Sequence, residues 1–261
     1  MSVRVRLTYV GGPTALIEIG GLRLLTDPTF DPAGSEYPTP FYVLRKTQDP
    51  ALAAASLGRI DFVLLSHDHH ADNLDGEGRR VLGSAGAIIT TADGAGRLGG
   101  RAIGLLPWEH LDVSAPLAGP LRITATPARH GPSGGDRGPV IGFAIEPLDH
   151  PGTGIYISGD TVWYEGIAEV SRRFTPAVAV LFGGAARVRE VGPAHLTFTA
   201  AEMVTAAAAF SKALVVPLHA EGWMHFSESR GEIARAFEEA GLTHRVWWPA
   251  PGEPVDISGA S

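Results

Sequence analysis

Apolar and polar residues fall into short runs along the whole chain, and these runs predict strands more often than helices. The first segments alternate or stay apolar, and glycines at 20 and 21 are typical of a hairpin turn. The strands predicted for this part are Val3–Val10, Thr14–Ile19 and Leu22–Thr26. A hairpin-rich sheet is therefore expected at the start of the chain.

Further apolar runs predict strands through the rest of the chain. Some, such as Arg59–Leu65, are apolar almost throughout, which is typical of a strand buried on both faces. The other strands predicted are Ala87–Thr90, Arg101–Leu105, Leu121–Thr126, Val140–Glu146, Gly154–Ser158, Ala177–Phe182, Ala213–Leu218 and Thr243–Trp247. Long loops, Asp27–Pro40 and Gly131–Pro139, lie between strands and are expected to border a site.

Helices are predicted between these strands. A short helix is predicted over Ala51–Leu57, and a longer one over Thr161–Phe174. Two capping boxes, Thr199 to Glu202 and Ser229 to Glu232, mark helix starts in the last third. The sequence therefore predicts an α/β fold in which helices flank two β-sheets. No shift in composition marks a linker, so residues 1–261 are expected to form one domain.

Composition narrows the class of protein. With 261 residues, 44% of them apolar and 19% charged, the chain has the composition of an ordinary globular protein. The absence of cysteine excludes disulfides, a thiol nucleophile and a thiolate zinc site. A formal charge of −7 argues against nucleic acid as a partner. No secretory signal or bilayer-length apolar run is present, and a cytoplasmic location is expected.

Ten histidines make imidazole chemistry the first to test. Four candidate ligand groups each follow an apolar strand: the His67–Asp72 cluster, His130, Asp160 and His219. The loops at strand carboxyl ends are where α/β folds place their sites. Imidazole and carboxylate together suit zinc, and also manganese or iron. The sequence therefore predicts a metal site. Asp160 could alternatively cap a helix starting at Thr161.

The order of these elements resembles the metallo-β-lactamase superfamily of metal-dependent hydrolases. That family carries a His-x-His-x-Asp-His cluster after a buried strand, then a His, an Asp and a His at later strand ends. The N-terminal segment, with Leu25-Thr26-Asp27-Pro28, resembles the branch of ascorbate-phosphate lactonases and N-acyl-phosphatidylethanolamine phospholipase D. The resemblance implies an αββα sandwich of two mixed β-sheets flanked by helices.

The histidine cluster departs from the family pattern in two ways. Asp72 lies five residues after His67 instead of four, and Asn73 stands where the family has a third histidine. Aligned from its start, the cluster makes His69 the second ligand; aligned from its end, it favours His70. The sequence leaves both open. Loss of the third histidine favours a mononuclear site or a weak second metal.

The resemblance implies two ion positions. The first would be held by His67, by His69 or His70, and by His130, and the second by Asp72 and His219, with Asp160 bridging. The cofactor expected is one or two Zn²⁺, with Mn²⁺ or Fe²⁺ as alternatives. A metal-bound hydroxide would attack a small ester, lactone or phosphodiester. With one ion, Asp72 would act as the catalytic base. Asp27 would orient a ligand imidazole.

Substrate contacts are predicted for residues near the later ligands: His195, Trp223 and His225. Arg187 and Arg189 could bind an anionic substrate group. The histidines predicted to be surface residues are His110, His150 and His244.

Two other functions compete with a small-molecule hydrolase. A degenerate mononuclear or metal-free member with a binding role is motivated by Asn73. A nuclease of the same fold is disfavoured by the −7 charge.

Overall fold

The computed structural model describes residues 4–150 and 152–257. Most of the predicted strands are present, although Val3 of the first one lies outside the described residues. In chain order the strands are β1 (Val5–Gly11), β2 (Thr14–Ile19), β3 (Leu22–Thr26), β4 (Glu36–Pro38), β5 (Val43–Arg45), β6 (Phe62–Leu64), β7 (Ala87–Thr91), β8 (Ala102–Leu105), β9 (His110–Ala115), β10 (Gly119–Pro127), β11 (Ile141–Pro147), β12 (Ile155–Ile157), β13 (Val178–Phe182), β14 (Leu214–Leu218) and β15 (Pro254–Asp256).

These strands build two large mixed sheets and one small hairpin. One sheet has the order β15-β1-β2-β3-β6-β7-β8, and the other β14-β13-β12-β11-β10-β9, while β4 and β5 pair separately. In the first sheet β3, β6, β7 and β8 run parallel. In the second, β12, β13 and β14 run parallel, and β10 and β12 are both antiparallel to β11. Strands β10, β12 and β14 therefore end at the same edge of their sheet.

The helices lie outside this pair of sheets. The α-helices are α1 (Gly76–Leu82), α2 (Ala92–Leu98), α3 (Glu165–Arg173), α4 (Ala200–Ala209) and α5 (Arg230–Glu239), and short 3₁₀ turns span Ala54–Leu57, Arg189–Val191 and Thr243–Arg245. Both predicted capping boxes are confirmed: Thr199 and Glu202 cap α4, and Ser229 and Glu232 cap α5. Within the described residues, none of the helices is long and apolar enough to cross a membrane.

Period-two alternation of side chains explains how continuous apolar strands serve two layers. In β6, Leu64 joins the core between the sheets, whereas Val63 and neighbouring Leu65 join the outer cluster that also contains Leu82 from α1. In β13, Val180 faces the central core. The four layers are therefore helix, sheet, sheet and helix, which confirms the predicted αββα architecture.

The same alternation runs through the second sheet. Ala179 and Leu181 of β13 point away from the central core and pack with Met203 of α4 and Phe237 of α5. All four side chains are fully buried. Each strand of this kind therefore excludes water on both faces, and the polar chemistry is left to the strand ends.

The prediction of a final strand over Thr243–Trp247 is wrong. Residues Thr243–Arg245 form a 3₁₀ turn, and the segment contacts β14 through one isolated bridge, Val246 to Val215. The Arg245 guanidinium donates to the carbonyls of Phe210 and Ala213, at 2.7 and 2.5 Å. These bonds hold the segment against the end of α4, where it cannot continue a ladder along β14.

The helix predicted from Thr161 begins four residues later, at Glu165. Thr161 Oγ1 accepts a hydrogen bond from the Arg129 amide at 3.0 Å, and the Val162 amide donates to the Arg129 carbonyl at 3.0 Å. Tyr164 occupies the N-cap position of α3. Asp160 is therefore not a helix cap, and its carboxylate is available for other contacts.

Truncating a core side chain between the sheets is expected to destabilise the fold strongly. Ile145 on β11 is fully buried in that core, whereas Leu117 is 84% exposed. Ile145→Ala should lower the free energy of unfolding by about 2–5 kcal/mol, because it removes buried contacts and leaves a cavity. Leu117→Ala, the matched control, should change it by less than about 0.5 kcal/mol. Urea denaturation followed by circular dichroism measures both, and equal effects would contradict the proposed core.

Candidate metal centre

The predicted ligand residues converge because their strands end together. His67, His130 and Asp160 each lie three residues beyond a strand, after β6, β10 and β12, and His219 directly follows β14. Strand β6 belongs to the first large sheet, and the other three strands belong to the second. The site is therefore built from loops of both sheets at one edge of the sandwich.

Three imidazoles form the centre of the cluster. His70 Nδ1 lies 2.9 Å from His67 Nε2 and 3.2 Å from His130 Nε2. Asp160 Oδ2 lies 3.6 Å from the same His130 Nε2. His67, His130 and Asp160 are buried, and their ligand atoms lie within 4.8 Å of one another. His70 thus contacts two of the three residues of this buried group.

Hydrogen bonds on the far side of the rings fix which nitrogens face inward. His130 Nδ1 lies 2.8 Å from the Leu196 carbonyl oxygen, which can only accept. His130 Nδ1 therefore carries the proton, and its Nε2 lone pair points at the other imidazoles. His67 Nδ1 is held by Ser66 Oγ at 2.9 Å. Orientation of ligand imidazoles by an outer partner is typical of metal sites.

Asp68 and the Nε2 atom of His69 are bound by groups outside the cluster. Asp68 is paired with the Arg97 guanidinium at 2.9 and 2.5 Å. His69 Nε2 donates to the Arg137 carbonyl at 2.7 Å, so that nitrogen carries a proton. A set of His67, His69 and His70 nitrogens also lies within 4.8 Å. Of the two candidates, His70 is the one whose nitrogen contacts both His67 and His130.

Asp160 and His219 form a second buried pair. His219 Nδ1 donates to Asp160 Oδ1 at 2.9 Å, and both side chains are fully buried. The contact leaves His219 Nε2 directed elsewhere, and although burial opposes it, the charges of Asp160 and Asp72 raise the pKa of this imidazole. Asp160 Oδ2 and His219 Nε2 are both buried without a hydrogen-bond partner among the described residues. A buried polar atom with no partner costs about 1–3 kcal/mol, so a ligand that contacts these two atoms would be stabilising.

Asp72 lies next to Nε2 of His219. Asp72 Oδ2 is 3.6 Å from His219 Nε2 and 3.1 Å from His225 Nε2. The sequence predicts His225 as a substrate contact, and the structure places it against this carboxylate. Its other ring nitrogen, Nδ1, is buried without a partner in the described part of the chain.

The backbone is strained at two of these strand ends. Asp27 has a φ of 24° and His219 a φ of 55°, both in the region that favours glycine. The His219 amide donates to the Gly12 carbonyl at 2.9 Å, and Asp27 Oδ1 accepts from the Ser66 amide at 2.6 Å. Asp27 thus anchors the loop that carries His67 through its backbone, instead of through the imidazole that the sequence predicts it to orient. Strain of this kind concentrates at functional sites.

Burial sets the protonation of the cluster. Burial, followed by repulsion from neighbouring imidazoles, lowers the pKa of His67 and brings the pKa of His70 to about 3. Both rings are therefore neutral at pH 7, the form that binds a metal. Burial alone would raise the pKa of Asp160, but its contacts with His219 and His130 bring that pKa below the usual range. Asp160 is therefore ionised.

A sequence profile described as a beta-lactamase superfamily domain matches residues 22–220, most of the chain and all of the clustered residues except His225. The chain belongs to the metallo-β-lactamase superfamily. UPF0173 protein YddR of Bacillus subtilis is 23% identical over 260 residues, which cover 95% of this chain and 98% of YddR. The similarity to this relative thus extends over nearly the full length of both chains.

Solved structures share the fold. An isothiocyanate hydrolase from Delia radicum gut bacteria has a TM-score of 0.81 at 21% identity, covering 97% of this chain and 100% of that one. A possible metal-dependent hydrolase from Veillonella parvula has a TM-score of 0.82 at 20% identity, covering 97% and 99%. The two structures, the second of which is described as a possible metal-dependent hydrolase, therefore share the fold of this protein over nearly its whole length.

The remaining predicted substrate residues lie in different surroundings. His195 Nε2 pairs with Glu202 at the start of α4, at 3.1 Å, which directs this ring to the helix instead of the cluster. Trp223 is buried beside His225, with 6.4 Å between ring centroids, and the Lys46 ammonium lies over its ring. The three histidines predicted at the surface, His110, His150 and His244, are exposed.

A narrow cleft of about 20 Å³ opens onto the cluster. Besides four of the clustered residues, its lining includes Tyr42 and Arg137, which the sequence does not single out. A larger cavity of about 360 Å³ shares the Tyr42, Leu44 and His70 side chains with the cleft. Arg137 lies in the long loop at 131–139, and the length of that loop is the sequence signal that points to it. Tyr42 precedes β5, just beyond the other long loop.

The geometry predicts that His70, and not His69, is the second ligand of the histidine cluster. His70→Ala should weaken zinc binding at least about 100-fold, since it removes the nitrogen that contacts both neighbouring imidazoles. His69→Ala, the matched control, should keep the zinc content of the wild type. Metal analysis after dialysis against a competing chelator measures both variants. Loss of zinc in His69→Ala with zinc retained in His70→Ala would contradict the assignment.

Proposed function

We propose that this protein is a metal-dependent hydrolase that adds water to a small ester, lactone or phosphodiester. The observation that supports it most directly is the convergence of imidazole lone pairs and ionised carboxylates from loops of both sheets. Buried groups of this kind repel one another unless a cation lies between them. Superfamily membership and the metallo-hydrolase fold support the same function.

The donor set suits a divalent transition metal. His67, His70 and His130 would hold the first ion through ring nitrogens, and Asp160 Oδ2 supplies a carboxylate oxygen with no other partner among the described residues. Three imidazoles and one carboxylate fit zinc well and also suit manganese or iron. The unpartnered carboxylate oxygen is the feature that distinguishes this set from an ordinary hydrogen-bonded histidine cluster.

A second ion would be held more weakly. Asp72 and His219 would supply its ligands beside Asp160, as the family pattern implies. Asn73, at the position of the family's third histidine, is fully buried and both of its amide atoms lack a partner among the described residues. An amide oxygen is a poorer ligand for zinc than an imidazole. We therefore propose one tight position and one weak one.

A bound divalent metal supplies Lewis acidity and lowers the pKa of a coordinated water towards about 7. The protein's own residues orient the ligand imidazoles and accept a proton. The Leu196 carbonyl and Ser66 Oγ fix the rings of His130 and His67. Asp72 Oδ2, kept ionised by His225 at 3.1 Å and by His219, accepts the proton of the attacking water when only the first position is filled.

The substrate is proposed to be a small molecule. The cavity of about 360 Å³ beside the cleft falls in the range of ligand pockets. Its lining from Tyr37, Pro38, Tyr42 and Leu44 is largely apolar, and Arg79 and His69 add polar groups. A nucleic acid is not expected at this site, because the formal charge of the chain is −7.

The decisive experiment is a substrate panel on metal-loaded protein. Zinc-, manganese- and iron-loaded samples are assayed against chromogenic esters, lactones, phosphodiesters and β-lactams. An isothiocyanate is included because one structural neighbour is named as a hydrolase of that class. Turnover that is lost with a chelator and restored by metal supports the proposal. A protein that binds no metal under any loading condition would falsify it and favour a metal-free binding role.

Replacing the unpartnered carboxylate should remove activity without unfolding the protein. Asp160→Asn should lower kcat/KM at least about 100-fold, since it deletes a negative ligand and the ionised partner of His219. Asp149→Asn, on an exposed turn, is the matched control and should retain wild-type activity. Circular dichroism confirms folding of both. Wild-type kcat/KM in Asp160→Asn would exclude this carboxylate from the mechanism.

Calorimetric titration with zinc should resolve two binding steps, the second weaker than the first. Asp72→Ala should abolish the weak step and leave the tight one, because Asp72 belongs to the second position alone. His219→Ala tests the same position from the other side. Two steps of equal affinity in the wild type, or loss of the tight step in Asp72→Ala, would contradict the division into one tight and one weak position.

A further inference from the structure

Arg137 is the cationic side chain that lines the cleft over the histidine cluster. The same cleft is lined by His70, Asp72, His130 and His225 on its polar side. The arginines that the sequence suggests as anion contacts, Arg187 and Arg189, are exposed and do not line this cleft.

The position of Arg137 is fixed on several sides. Its amide donates to the His130 carbonyl at 2.9 Å, and its carbonyl accepts from His69 Nε2 at 2.7 Å. Its guanidinium Nη2 donates to the Val191 carbonyl at 2.9 Å. The next residue, Gly138, has a φ of 98°, and a Cβ there would come within 3.1 Å of His69 Nε2. The arginine is therefore held in place by the loop that carries it.

One nitrogen of the Arg137 side chain, Nε, is both buried and without a hydrogen-bond partner among the described residues. An N–H of a charged group that is removed from water without an acceptor is costly, so a site that keeps one gains when a ligand supplies the acceptor. An oxygen anion is the strongest acceptor for a guanidinium.

The charges around the cleft permit an anion. Asp72 and Asp160 carry two negative charges, and both are neighbours of imidazoles at 3.6 Å or less. One divalent ion would neutralise the charges of these two carboxylates. The guanidinium of Arg137 would then give the cleft a net positive charge. Burial and the Asp72 charge raise the pKa of Tyr42 while Arg137 lowers it, which shows that all three groups lie within electrostatic reach. The Tyr42 phenol is thus neutral at pH 7.

The rest of the cleft lining includes apolar side chains. They belong to Leu44, Ala186, Val188 and Leu196. The cleft of about 20 Å³ admits a single small group, so an oxygen acceptor of the ligand would enter it while the hydrocarbon segment lies in the adjoining cavity of about 360 Å³.

We propose that Arg137 Nε binds an anionic oxygen of the substrate, from a carboxylate or a phosphoryl group, and so selects small anionic substrates at the candidate metal centre. That Arg137 selects anionic substrates for hydrolysis rests on the proposed hydrolase function. Arg137 contacts the substrate in this scheme and is a specificity-determining residue.

Two esters with the same leaving group test the selection. Para-nitrophenyl butyrate is neutral, and mono-para-nitrophenyl succinate is an anion of similar length. Arg137→Gln should lower kcat/KM for the succinate ester at least about tenfold, through KM, and change the butyrate by less than about twofold. Arg137→Lys should recover part of the loss. Arg187→Gln, which removes the same charge at an exposed position, is the matched control.

Calorimetry with succinate and with methylphosphonate, on metal-loaded protein, repeats the test without turnover and separates carboxylate from phosphoryl binding. Weaker binding of at least one anion in Arg137→Gln, with unchanged metal content and melting temperature, supports the proposal. Equal Kd values in wild type and Arg137→Gln, or equal losses on both esters, overturn it. If the wild type hydrolyses neither ester and none of the panel substrates, the proposed function fails, and the calorimetric comparison still decides the role of Arg137.

Discussion

The structure depends on the repulsion among polar groups buried where the two sheets meet. The imidazoles of three residues and the carboxylate of Asp160 lie close together, and Asp160 Oδ2 and His219 Nε2 have no partner there among the described residues. Such an arrangement is unfavourable by itself, since lone pairs and negative charges are brought together out of water. It is stable only if the rest of the fold holds it or a cation neutralises it. The contacts around the cluster hold its side chains in place, and the set of donor atoms suits a cation.

The fold holds the cluster through backbone groups that cannot titrate. The Leu196 carbonyl orients His130, the Gly12 carbonyl holds the amide of His219, and the Ser66 amide binds Asp27. Behind these contacts, β-strands buried on both faces carry the loops. A change in the loops therefore alters ligand identity without altering the sheets. The positive φ values of Asp27 and His219 mark where the strands end and the chain turns towards the site.

The sequence predicted the architecture better than it predicted contacts within the site. Continuous apolar runs identified the central strands because both of their faces are covered, and the capping boxes of α4 and α5 were correct. The strand predicted over Thr243–Trp247 is absent because hydrogen bonds from Arg245 to the end of α4 outweigh the strand-like pattern of this segment. The hairpin of β4 and β5 lay in and beyond a stretch rich in Pro, where propensity gives little signal.

Within the site, spacing identified which loops carry candidate ligands, but it could not decide between adjacent residues. His69 and His70 differ by one position, and their roles depend on which ring meets His130 from another loop. Arg137 was unpredictable for a similar reason, since its importance comes from contacts with His69 and Val191, distant in sequence, and with His130. Only the length of the loop at 131–139 pointed to that region.

The extra residue in the histidine cluster places two histidines side by side, and their side chains make different contacts. His70 contacts His67 and His130, whereas its neighbour His69 donates a hydrogen bond to the carbonyl of Arg137. The hydrogen bond from His69 fixes the loop that carries the guanidinium of Arg137 to the cleft. The family's third histidine is replaced by Asn73, and His225 contacts Asp72 from a later loop. In the proposed function, the weaker second ion position follows from Asn73, and the proposed contact of Arg137 with the substrate follows from the hydrogen bond between His69 and the loop at 131–139.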